Sequence, residues 1–146
     1  MDGKDYSLLK SKKQELQKLH KTHLTGLIKA VNSVARNLTT KEAFTQGIVI
    51  QSAHKVDGAS TRALLFSQIE KLVRSVNATR GFQTEGDIQD AVEDIIEIFP
   101  SLKMEEILLC FKYIRQGKYE LFGNLTTNTL IKCLHNYEIE HTVPQR

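Results

Sequence analysis

The sequence predicts an all-α fold: a single compact domain of five or six helices, led by a long amphipathic amino-terminal helix. Three observations carry that prediction. Apolar residues recur at steps of three and four through most of the chain. The two prolines, Pro100 and Pro144, lie late, so the first two thirds lack the strongest helix breaker. With 146 residues, 40% hydrophobic and 25% charged, the chain is long enough to close one core without a metal or a disulfide.

From Asp5 to about Leu38, Leu9, Leu16, Leu19, Leu24, Leu27, Val31, Val34 and Leu38 mark one stripe, and lysines fill much of the rest. Gly26 is placed to weaken or bend this helix. Thr39 with Glu42 has capping-box spacing and opens a short second helix. The run GIVIQSAHKVDG is read as helix into loop, because Ile48, Val49 and Ile50 are too few to separate a strand from a helical turn and Asp57-Gly58 marks a turn. Ser60 to Val76 carries Leu64, Leu65, Ile69, Leu72, Val73 and Val76 on one face, and Asn77 to Gly81 ends it.

Thr84 precedes an acidic helix whose apolar face is Ile88, Val92, Ile95, Ile96 and Phe99, and Pro100 breaks it. MEEILLCFKYIRQ repeats Ile107, Leu108, Phe111 and Ile114, with Gly117 where a helix would stop in a left-handed turn. Thr126 or Thr127 caps a last helix with Leu130, Ile131, Leu134 and Tyr137 inward, and His141 to Arg146 is expected to fray. No repeat or linker divides the chain, so residues 1–146 read as one domain; the composition change near residue 82 marks basic (1–81) and acidic (82–141) parts.

Net charge is +3 and unevenly spread. Residues 1–36 hold eight Lys/Arg against three Asp/Glu, residues 37–81 six against three, and residues 82–146 six against eleven. A basic front and an acidic back imply a dipolar surface, one part suited to phosphates and the other repelling them. Lys10, Lys12, Lys13, Lys18 and Lys21 on the first helix are the candidate nucleic-acid contacts, able to neutralise phosphates without choosing bases. Arg115, Lys118 and Tyr119 are the candidate partner-binding residues, while Tyr119 and Phe122 are expected first to anchor the corner between the last two helices.

Nothing in the spacing points to catalysis or a cofactor. His20 and His23 stand at i and i+3 without further ligands, the glycines form no phosphate loop, and the acidic residues Glu85, Asp87, Asp90, Glu93, Asp94 and Glu97 fit the solvated side of a helix rather than a calcium loop. Cys110 and Cys133 lie in apolar runs and read as buried free thiols. MDGKDYSLLKSKKQ has no continuous apolar run of the export type, and no stretch has bilayer-spanning length. The chain is therefore expected to be cytoplasmic, without a membrane partner. The three Asn-x-Thr triplets at Asn37, Asn77 and Asn124 read as capping and turn chemistry.

The stretch DIIEIFPSLKMEEILLCFKYIRQGKYELFGNLTTNTLIKCLHNYE resembles a family of small helical proteins from bacterial phages and mobile elements. The resemblance covers roughly residues 82–141 and rests on Phe99-Pro100, Gly117-Lys118, Phe122-Gly123 and Tyr137-Glu138, with Glu120-Leu121 and His141 departing from the pattern. It implies a non-enzymatic accessory protein of phage DNA replication in a bacterial host cell, similar to helicase loaders or replisome organisers. The expected partners are DNA, through the basic helix, and a replicative helicase or other replication protein, through the acidic helices. The rival readings are a transcriptional regulator with a helix-turn-helix variant over residues 104–140 and a phage-encoded inhibitor of a host protein.

Overall fold

The computed structural model describes residues 3–146; within the first helix, side chains are described for Ser11, Gln14 and from Lys21 onward. Among the described residues seven α-helices follow one another: α1 (Gly3–Ala35), α2 (Thr40–Gln46), α3 (Ile50–Val56), α4 (Gly58–Ser75), α5 (Glu85–Ile98), α6 (Met104–Arg115) and α7 (Thr127–Tyr137). A π-helical turn, Glu138–Thr142, and a 3₁₀ turn, Val143–Gln145, complete the order. The fold is mostly helical, as the periodicity predicts. Among the described residues the only sheet is a parallel pair of two-residue strands, β1 (Arg80–Gly81) and β2 (Asn124–Leu125), in the register Arg80 to Asn124 and Gly81 to Leu125.

The helix count exceeds five or six because the run after Gly47 resolves more finely than its composition suggests. Val49 forms an isolated antiparallel bridge with Lys103, flanked by Ile50 N–H to Leu102 O at 2.8 Å and Met104 N–H to Ile48 O at 2.7 Å. Ile50 then opens α3. The run is strand-like for one residue and helical thereafter. At Asp57 the chain leaves α3 and enters α4 at once: its backbone N–H bonds Ala53 O, and its side chain accepts from Ser60 N–H at 3.0 Å. The turn foreseen at Asp57-Gly58 is a shared cap, and α4 begins at Gly58.

Capping explains most other boundaries. Thr39–Glu42 and Thr84–Asp87 both form reciprocal capping boxes, and Thr126, rather than Thr127, caps α7. The first helix ends at Ala35, where Asn37 takes φ 78° and Leu38 N–H reaches back to Ser33 O at 3.2 Å. That is a left-handed helix stop made by asparagine. Gly47 serves closeness instead: a β-carbon there would stand 2.4 Å from Ala43 O and 2.6 Å from Lys103 Cβ. Any side chain would drive α2 off the start of α6.

Helix α6 is the axis of the core. Residues 104–111 and Ile114 are all buried, and α6 packs on α1, α2, α4 and α7. A helix apolar on every side has to be enclosed. One cluster of buried side chains links Leu27, Ala30 and Val34 of α1, Leu65, Ile69 and Leu72 of α4, Ala91, Val92 and Ile95 of α5, and Leu130, Leu134 and Tyr137 of α7. It runs across the composition change near residue 82.

Two carboxylates enter this core. Glu105 accepts the Ile48 N–H at 3.1 Å, and burial nevertheless pushes its carboxyl above the ordinary range. Glu106 is 0% exposed and accepts from Lys103 N–H at 3.1 Å and from the Thr142 hydroxyl at 2.5 Å. Thr142 is itself buried, so the expectation that His141 to Arg146 frays is corrected. The buried Glu106 side chain at the start of α6 holds the π turn in place, because without the Thr142 donor one of its oxygens would lose its hydrogen bond.

Candidate functional site

The corner between α6 and α7 is built by backbone hydrogen bonds at both ends. At the end of α6, Gly117 takes φ 75°, Gly117 N–H bonds Ile114 O at 3.0 Å, and Lys118 N–H bonds Tyr113 O at 2.9 Å. This paired return is the glycine stop that the sequence foretold. Lys118 Nζ then lies 4.0 Å from the centre of the Tyr113 ring. Farther on, Arg80 N–H donates to Gly123 O at 3.0 Å, and Asn124 N–H donates to Leu121 O at 3.0 Å. The β1–β2 pair thus pins the turn to the start of the acidic half.

Pinned this way, Phe122 sits at φ 52° beside Gly123 at φ 75°. A phenylalanine in left-handed backbone is costly. Its ring is 82% exposed. The expectation that Phe122 anchors two helices is therefore corrected: the backbone turns outward at this residue, and Leu121 and Tyr119 pack against the core instead. Phe122 stands at the edge of a cavity of about 420 Å³, whose walls are Tyr119, Leu121 and Asn124 from the turn and Thr129, Lys132, Cys133 and Asn136 from α7. That volume is within the range of ligand-binding clefts.

The thiol and phenol of the cavity wall, Cys133 and Tyr119, and the buried Cys110 and Tyr137 are held protonated. Desolvation raises Cys110 well above its ordinary value and pushes Cys133 up to about 11. Tyr119 and Tyr137 are raised by burial, and neither hydroxyl has a hydrogen-bond partner. A thiol so placed is a poor nucleophile at neutral pH. The cavity offers binding groups: an aromatic face, two carboxamides, a hydroxyl and an ammonium.

Of the sequence-predicted nucleic-acid residues, Lys21 is exposed on α1, whereas Lys10, Lys12, Lys13 and Lys18 lie outside the described side chains. Among the described residues, ion pairs join Arg62 to Glu93 and Arg146 to Glu138, and His141 Nε2 lies 3.6 Å from Glu140 Oε2. None involves Lys21 or Lys29 of α1, or Arg36 just beyond its end. Of the predicted partner-binding residues, Lys118 is exposed, while Arg115 and Tyr119 are half-buried. Burial holds the Arg115 guanidinium below its ordinary value, yet such a group stays charged at neutral pH. Tyr119 offers a ring edge, since its hydroxyl is enclosed.

The acidic residues Glu85, Asp90, Glu93 and Glu97 are exposed on α5. Between α4 and α5 lies an open groove of about 690 Å³, with Phe66 and Val92 inside it and Arg62, Glu85, Asp90 and Glu93 on its rim. His23 Nε2 lies 3.5 Å from the Thr61 hydroxyl. His20 falls outside the described side chains. Among the described residues no three His, Cys, Asp or Glu converge as a metal set, and no helix is long and apolar enough to cross a membrane.

Sequence reasoning missed the carboxamides Asn124 and Asn136 and the outward display of Phe122. The aromatic-glycine pair at 122–123 was the available signal. Compared with protein-family models, with curated proteins and with solved structures, the chain matches none.

Proposed function

We propose that this chain is a non-enzymatic binding protein of phage or mobile-element DNA replication, acting in the cytoplasm of the bacterial host. In this reading α1 meets DNA phosphates through Lys10, Lys12, Lys13, Lys18 and Lys21, and the acidic helices engage a replication protein such as a replicative helicase, with Arg115, Lys118 and Tyr119 adding a second contact. The observation that carries it is the separation of charge. Lys21 and Lys29 are exposed on α1, which packs chiefly on α6, whereas the exposed carboxylates Glu85, Asp90 and Glu97 lie on α5, which packs on α4 and α7. Charges of opposite sign on different elements can act on two partners at once. The replication setting is supported by the family resemblance over residues 82–141 alone.

Titrating the full chain against labelled single- and double-stranded DNA at several salt concentrations tests the DNA half. Binding at low salt is expected, with log K falling linearly in log salt; replacing the five lysines by glutamine should reduce that slope by about 0.7 to 0.9 for each phosphate contact removed. No low-salt binding, or a slope untouched by those replacements, would sink it. Capture from host lysate with an α5 variant as control tests the protein half. Retention of a replication protein by the parent chain, lost on neutralising Asp90, Asp94 and Glu97, is the expected outcome.

A further inference from the structure

We infer that the cavity between the 118–124 turn and α7 seats one unpaired base of single-stranded nucleic acid, with Phe122 as the stacking surface. This rests on the DNA-binding part of the proposed function and adds a place and a strand preference to it. The ring of Phe122 is 82% exposed on a backbone with φ 52°; the bond from Arg80 N–H to Gly123 O fixes the turn, but no packing of the ring offsets its cost. Strain of this kind persists where the surroundings impose it, and it gathers at ligand sites.

The walls match the proposed ligand. Asn124 and Asn136 each present a carbonyl acceptor and an amide donor, the complement of a base edge. Lys132 on α7 is an exposed cation on the wall, suited to a flanking phosphate. Glu120 is the sole carboxylate there, and the backbone of Arg80 bonds Gly123 at the turn. A concave seat requires a base splayed from its stack, which single strands supply and duplexes withhold. The aromatic face gives affinity for any base.

The full chain, titrated into a fluorescein-labelled single strand of mixed sequence and into an abasic strand of equal length, tests the assignment. Phe122→Ala is expected to weaken binding of the base-bearing strand by roughly 5- to 150-fold and to leave the abasic strand and the salt slope unchanged. Lys132→Gln, in contrast, should lower the slope by about one. Because Phe122 is on the surface, circular dichroism of Phe122→Ala should match the parent. If the parent binds the base-bearing strand and Phe122→Ala binds it equally well, the cavity assignment is overturned while DNA binding stands. If the parent binds neither strand at low salt, both fall. A variant that loses only a protein captured from lysate marks the surface as a protein contact and likewise overturns the assignment.

Discussion

Phe122 joins an unfavourable backbone to a solvent-facing ring, two features that ordinary folding would remove. Replacing it by glycine should remove a strain of about 1 to 2 kcal/mol while adding about 0.5 to 1 kcal/mol of chain entropy to the unfolded state. Phe122→Gly is accordingly expected to be as stable as the parent or slightly more so in urea denaturation. A loss above 1 kcal/mol would show that the ring is held by contacts. Glu105 gives a second residue-scale test. Its carboxyl is raised above 4.5 by burial, so the folded state holds the proton more tightly than the unfolded chain does. The contribution of this group to stability is present below the unfolded value and is lost as pH rises through the raised folded value. Glu105→Gln should flatten the urea midpoint as pH rises through the raised folded value and leave the midpoint at neutral pH equal or higher. A steeper profile in the variant would contradict the assignment.

Among the elements, those closed by neighbours in sequence were legible before any coordinates. Thr84 with Asp87, Thr39 with Glu42, Pro100 after Phe99 and Gly117 after α6 are signals within a few residues, and each acts where the sequence places it. Elements closed by distant groups were hidden. The bridge of Val49 to Lys103, the parallel strands and the π turn held by Glu106 depend on partners more than 30 residues away, which periodicity does not encode. The same limit applies to the site: the Phe122-Gly123 turn was visible, but its direction is set by Arg80 from another element. Gly47 illustrates how such junctions fail. A β-carbon placed 2.4 Å from a carbonyl and 2.6 Å from Lys103 must push α2 from α6, so Gly47→Ala is expected to cost about 1 to 3 kcal/mol in chemical denaturation. A neutral result would mean that the α2–α6 junction yields freely.

For the whole molecule, the relevant quantity is the distribution of charge around a modest total. The net charge of +3 conceals a strongly acidic α5 and a lysine-rich α1. Screening confines their mutual influence to about 8 to 10 Å at ordinary salt. Neutralising Asp90, Asp94 and Glu97 together is therefore expected to raise DNA affinity at low salt but to change it by less than roughly twofold at 0.15 M. Fluorescence anisotropy in both buffers checks this, and a large effect persisting at the higher salt would place α5 against the bound DNA.

The pairing of Glu106 with Thr142 spans 36 positions of the chain. On the ribosome, α6 is therefore made well before the hydroxyl that its carboxylate needs. A partly synthesised chain holds the helix that will become the centre of the protein with one Glu106 oxygen still without its donor, and enclosing it then would cost more than leaving it wet. Final closure awaits translation of the π turn, so the molecule should mature after that segment emerges rather than helix by helix.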